Sequence, residues 1–174
     1  MGKVLIYGPR SKHFITGVSL AVDLLIDGFK RKRLDFYSVD SIKTKSVSKS
    51  GSFSLMRCTV SLYSVLEVYI KLIFVSDFYS TMSTSKFGFV RDLLTVSMAK
   101  LLRKKVILHL HGGGFEEFYL NSSKVLKCLI RFNLKNTDKI IVLGELLKMQ
   151  FYCVGPFVKK KLVVVPNGLT LGVA

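Results

Sequence analysis

The run Lys139-Ile140-Ile141-Val142-Leu143 is apolar at four consecutive positions and shows no alternation between a wet and a dry side. A strand of that kind suits a parallel sheet covered on both faces. Five further runs are similar: Lys3-Val4-Leu5-Ile6-Tyr7, which stops at Gly8-Pro9; Leu34–Val39; Leu72–Val75; Val106–Leu110; and Leu162–Val165. Between them the apolar period lengthens to that of a helix. Val18, Ala21, Val22, Leu25 and Phe29 share one helical face. Leu55, Leu62, Leu66, Tyr69 and Ile70 predict a helix over 55–70, and Val90, Leu93, Leu94 and Leu101 predict another over 87–102. Two more helices are expected near 122–135 and 145–153. Strands alternating with helices predict an α/β fold: a doubly wound, mostly parallel Rossmann-like sheet with helices on both faces and right-handed crossovers. The Ser- and Lys-rich stretch 41–54 reads as a mobile surface loop.

The chain has 174 residues, the size of one ordinary domain, and 49% of them are hydrophobic, which excludes a disordered chain. Its 27 Lys and Arg against 11 Asp and Glu give a net charge of +16. That charge favours anionic partners, whether nucleic acid, an anionic membrane surface or a phosphorylated substrate. Short basic clusters at Lys30–Arg33, Arg103–Lys105 and Lys159–Lys161 are also what helix C-termini attract. Cys58, Cys128 and Cys153 lack CxxC spacing and read as buried, reduced thiols of a cytoplasmic protein. The apolar window 62–76 is interrupted by Glu67 and Lys71 and falls short of a membrane span.

In a doubly wound sheet, ligands meet the loops at the carboxyl ends of the strands. The first such loop, Gly8 to Val18, lacks both the P-loop pattern and GxGxxG. A glycine at a helix start still allows backbone to approach an anion or hydroxyl closely. The most informative loop follows His109-Leu110-His111-Gly112-Gly113-Gly114-Phe115, where both histidines fall on one face of a strand. Several readings compete. A zinc pair needs a third protein ligand, and the only other histidine is His13. An esterase oxyanion loop needs a downstream GxSxG and a later histidine, and neither follows Gly114. His111 can instead stand at a strand end beside a bound polar substrate, or the segment can be a structural turn.

Taken together, these segments resemble the N-terminal, acceptor-side domain of family 4 glycosyltransferases, retaining enzymes of two-domain GT-B architecture. The resemblance spans roughly 3–168. It rests on Gly8-Pro9 with Gly17-Val18-Ser19, Ser85 to Phe89 with Arg91 and Asp92, Val106 to Gly113, Asp138 to Leu143, and Val164-Val165-Pro166-Asn167-Gly168. It implies a domain that holds a glycan, lipid-linked or polyol acceptor in polysaccharide biosynthesis. It places His111 and Gly112 at the transferred sugar or acceptor, with His111 as the candidate catalytic residue. Thr16, Gly17 and Val18 map to the glycine loop near the donor phosphates, and Thr16 stands where the family has the first of two adjacent glycines. Arg91 maps to a contact with an acceptor phosphate. No metal is implied.

The resemblance puts Pro166-Asn167-Gly168 at the hinge, so the expected domain is 1–168 and 169–174 is residual hinge or tail. The family's nucleotide-sugar site and its paired glutamates belong to a second domain. The expectation is therefore a chain without its own cofactor, inactive alone, whose nucleotide-sugar donor arrives only with a C-terminal domain, supplied by a separate subunit or lost by truncation. The expected location is cytoplasmic, peripheral on the inner face of the membrane. The alternative is a non-enzymatic basic Rossmann-like module that binds an anionic membrane surface or a partner protein. Nucleic acid is disfavoured, since no helix-turn-helix, zinc finger or aromatic-rich RNA-binding motif is present.

Overall fold

A computed structural model describes residues 2–13, 15–42 and 55–166, with the side chains of 55–58 left out. The body of the predicted loop at 43–54, the burial of Cys58 and the boundary after Gly168 lie outside the described residues. Six parallel strands form one sheet in the order β2-β1-β3-β4-β5-β6. They are β1 (Val4–Gly8), β2 (Phe36–Asp40), β3 (Asp77–Thr81), β4 (Lys105–Leu110), β5 (Lys139–Val142) and β6 (Leu162–Val164). The helices are α1 (Gly17–Arg31), α2 (Leu55–Leu72), α3 (Lys86–Leu101), α4 (Phe115–Leu120), α5 (Lys124–Asn136) and α6 (Glu145–Lys148). Two 3-10 turns, Met149–Phe151 and Pro156–Lys161, lead into β6.

The fold is the expected doubly wound, Rossmann-like α/β sheet, with its two faces unequally covered. On one face, Val22 and Ile26 of α1 pack with Ile6 and Tyr79. On the other, Val68 and Leu72 of α2, Val96 and Ala99 of α3, and Ile130 and Leu134 of α5 enclose Leu5, Phe78, Leu108 and Ile140. Among the described residues, the outer part of the α1 face is thinly covered: Ile107 and Ile141 are half-buried, and Val163 is exposed.

Several element assignments shift. Leu72–Val75 is not a strand: Leu72 is the last turn of α2, fully buried at helical spacing from Val68 and Val65, and β3 begins five residues later. Ser76 fixes that start by donating its N–H to the Lys3 carbonyl at 2.9 Å, which sets Asp77 against Val4. Of the apolar stripe expected on α2, Tyr69 is half-buried against the core and the other described members face outward. Leu62, Leu66 and Ile70 are exposed while Val65, Val68 and Leu72 are buried. Because α2 is apolar nearly all round, periodicity does not select its inner face. Helix α3 is reversed for a different reason. Val90, Leu94 and Leu101 are exposed, Leu93 alone of the expected stripe packs half-buried against the core, and the inner face carries Phe89, Asp92, Thr95, Val96 and Ala99. Two polar residues on that face disguise it in the sequence.

The loop after β4 holds an extra helix, α4, whose Phe115 stacks on Phe151 at 4.3 Å between ring centroids. The helix expected over 145–153 breaks after Lys148 into a 3-10 turn. The basic clusters mark helix ends. Lys30 and Arg31 close α1, and Arg103 takes a left-handed conformation (φ 55°) just beyond α3. Lys161 donates to the carbonyls of Leu134 at 3.0 Å and of Lys135 and Thr137 at 2.6 Å, closing α5 from across the chain. The cysteine expectation is corrected in part, because Cys128 is exposed and Cys153 half-buried.

Candidate functional site

The winding direction of the sheet reverses between β1 and β3, and in such folds a crevice opens there at the carboxyl edge. Gly8, the last residue of β1, floors it. A Cβ at Gly8 would lie 2.8 Å from Thr81 Cγ2 and 2.9 Å from Val22 Cγ2, so only glycine lets α1 and β3 close on this point.

On the α1 face, β3 and β4 bring three polar rings together. Tyr79 Oη lies 2.7 Å from His109 Nδ1 and 3.4 Å from His111 Nε2. The imidazoles stack with centroids 3.7 Å apart and planes 30° apart, and Tyr79 meets His109 edge-on. The period-two expectation that both histidines share a face holds. Burial drives both rings to the neutral form: His109 is lowered to about 3 by desolvation and then by the neighbouring His111. His111 is lowered to about 4 by desolvation. Burial also raises the Tyr79 hydroxyl, so it stays protonated.

Neutrality fixes the hydrogen-bond logic. Tyr79 can donate to one imidazole and accept from the other. If it donates to His109 Nδ1, then His109 carries its proton on Nε2, while His111 donates from Nε2 and keeps a lone pair on Nδ1. The opposite arrangement exchanges these roles. In both, one outer nitrogen is a donor and the other an acceptor. Those outer nitrogens, His109 Nε2 and His111 Nδ1, are buried without a hydrogen-bond partner. Unsatisfied buried groups are costly and uncommon. Such a relay can recognise hydroxyl groups and pass a proton along its length, and it offers no charge to a phosphate.

The neighbouring loop is held by carboxylates. Asp23 accepts from Arg10 Nε and Ser11 Oγ, and from the Ser11 N–H at 3.0 Å. These contacts hold its carboxyl below the usual range against the opposing pull of desolvation. Asp40, at the end of β2, accepts from the N–H groups of Arg10 at 3.2 Å and Ile42 at 3.0 Å through Oδ1. Its Oδ2 is buried without a hydrogen bond, 3.6 Å from His13 Nε2, and burial raises its pKa. Thus Ser41 and Ile42, the first described residues of the predicted loop, are fixed: the Ser41 N–H also donates to the Gly8 carbonyl at 3.1 Å.

The other sequence-predicted residues sit as follows. Thr16 is the N-cap of α1: its hydroxyl accepts from the Ser19 N–H at 3.1 Å, and Ser19 Oγ accepts from the Thr16 N–H at 2.8 Å. This reciprocal capping box explains a threonine at that position. Gly17 opens α1 and Val18 is half-buried in its first turn. A Cβ at Gly17 or Gly112 would meet nothing within 4 Å, so the room beside each is open rather than forced.

Arg91 lies on the opposite face from the histidines. Its Nε and Nη2 donate to Asp92 Oδ1 at 3.1 and 2.8 Å, and its guanidinium lies over the Tyr7 ring at 5.3 Å. Asp92 also accepts from the Ser83 N–H at 2.7 Å, and burial raises its carboxyl despite the opposing pull of Arg91 and this N–H. The structure therefore separates Arg91 from His111 and commits two of its nitrogens to an internal pair.

An open cleft of about 330 Å³ lies beside the glycine loop, lined by Thr84, Lys86, Gly114, Glu117, Phe118, Asn121 and Ser122. Gly114 there has φ 87°, which glycine adopts without strain. No group of three or more His, Cys, Asp or Glu residues among the described ones is placed to hold a metal ion. Sequence reading missed Tyr79 and Asp40. The available signals were the strand position two residues before Thr81 and the carboxylate ending the second strand.

The chain matches no protein-family model, and no curated protein is significantly similar to it.

Proposed function

We propose that this domain is the acceptor-binding half of a retaining glycosyltransferase, which holds a glycan, lipid-linked or polyol acceptor while a sugar arrives from a nucleotide sugar. The observation that carries the reading is the neutral His111–Tyr79–His109 relay beside the β1–β3 crevice. A sugar hydroxyl is both donor and acceptor, and the relay has one free end of each kind. His111 is the candidate catalytic residue by position. It would align the reacting hydroxyl, with Gly112 leaving space beside it and Thr16, Gly17 and Val18 bordering the far side. Arg91 would act on the acceptor only through the nitrogen that Asp92 leaves uncommitted. The donor-binding domain is a separate or linked unit in this reading, because transfer needs donor and acceptor aligned between two domains.

The test combines binding and turnover. Purified chain should bind a monosaccharide or polyol saturably, lose that binding in His111→Ala, and transfer no sugar when a nucleotide sugar is added. Robust transfer by the chain alone would overturn the half-enzyme reading. Unchanged sugar binding in His111→Ala would overturn the assignment of the site.

A further inference from the structure

We propose that the outer surface of the α2, α3 and α5 layer docks onto an anionic lipid bilayer, lying in the plane of its headgroups. The inference is independent of the sugar-transfer reading and rests on a different face of the molecule. Helix α3 packs between α2 and α5, so their outward faces form one surface. On α2, Leu62, Leu66 and Ile70 recur every fourth residue, with 58%, 51% and 63% of their surfaces exposed. The charges nearest this row do not interrupt it. Glu67 and Lys71 pair at 2.7 Å, and Lys71 also donates to the Ser38 carbonyl at 3.0 Å, back towards the sheet. The same layer also exposes Leu94 on α3 and Leu129 and Phe132 on α5. Surface helices of water-soluble domains place polar residues outward, and monomers rarely expose large contiguous apolar patches.

Charge selects the occupant. Helix α5 carries four cations, among them Arg131 and Lys135, and no carboxylate. None of the four has a carboxylate partner among the described residues. A second copy of this chain would set these cations against their own images. Anionic headgroups would neutralise them while the acyl boundary received the apolar rows, as at an interfacial amphipathic helix. No described helix is long and apolar enough to cross a membrane, so the contact proposed is peripheral.

Vesicle flotation of the full chain tests this. The chain should float with vesicles of phosphatidylglycerol and phosphatidylcholine in equal parts, stay behind with phosphatidylcholine alone, and detach as salt rises. Replacing Leu66→Gln with Ile70→Gln should lower partitioning by about tenfold or more, because exposed positions lose apolar burial only when lipid is present. Replacing Arg131→Gln with Lys135→Gln should lower it roughly fivefold per charge and flatten the salt dependence. Far-UV circular dichroism matching wild type shows that each variant is folded, and the charge pair tests the proposal if the apolar pair is not. Equal recovery with neutral and anionic vesicles would overturn the proposal. So would a concentration-dependent dimer that does not float, or flotation untouched by either pair of substitutions. Sugar binding at His111 should be unchanged in both variants, which keeps the two readings separable.

Discussion

His111 and His109 are imidazoles whose charged forms are excluded by burial, and this has a measurable sign. A histidine with a lowered folded pKa favours the folded state fully above its unfolded value near 6.5. Below that value the unfolded chain takes up protons that the folded chain refuses until about 4 for His111 and about 3 for His109. Stability should therefore fall as pH drops from 6.5 towards 4, and His111→Gln should flatten that slope. Denaturant titrations across this window read it directly. The raised carboxyls of Asp40 and Asp92 act with the opposite sign in this window, so the difference between wild type and His111→Gln isolates the histidine contribution; the lowered Asp23 and Asp138 release theirs below the ordinary carboxylate range. A second test concerns packing. Gly8→Ala forces a methyl group into contacts of 2.8 and 2.9 Å with Thr81 and Val22 and should destabilise by about 1–3 kcal/mol. Gly112→Ala meets open space and should cost within about 0.5 kcal/mol in thermal unfolding.

Elements are held by contacts that sequence separation conceals. Lys161 closes α5 by donating to three carbonyls more than twenty residues away, and the cost is a desolvated ammonium whose pKa is lowered. Lys161→Met should lower stability by about 1–2 kcal/mol, measured as a shift in denaturant midpoint at constant slope. This lysine also shows where sequence reading stopped. A run of three lysines looks like a solvated helix end, and nothing local reveals that its last member reaches another helix. The strands were largely legible because continuous apolar runs such as Ile140-Ile141-Val142 have few other uses. The inner faces of α2 and α3 were not. Val65, Val68 and Leu72 differ little in hydrophobicity from Leu62, Leu66 and Ile70, and α3 buries Asp92 where a pattern search expects a polar outer residue. The paired histidines followed from strand period two, whereas Tyr79 joined them only once β3 was placed beside β4.

At the scale of the whole molecule, two surfaces stand apart. The carboxyl edge gathers Gly8, Asp40, Tyr79, His109 and His111 around the switch in winding, while the three-helix layer presents apolar rows and cations without a carboxylate partner among the described residues. The +16 net charge is uneven in effect. Asp23, Asp40 and Asp92 lie in and around the loops at the carboxyl edge, and α5 carries cations with no acid among them. In the proposed function, a neutral His–Tyr–His relay receives a sugar hydroxyl. Long-range proton–nitrogen spectra of the histidine side chains at neutral pH, recorded during titration with monosaccharides and polyols, test it most directly. The prediction is two neutral imidazoles of fixed tautomer, His109 and His111, whose outer nitrogens shift saturably with at least one ligand. Protonated rings at neutral pH, or spectra unmoved by every sugar and polyol, would contradict it.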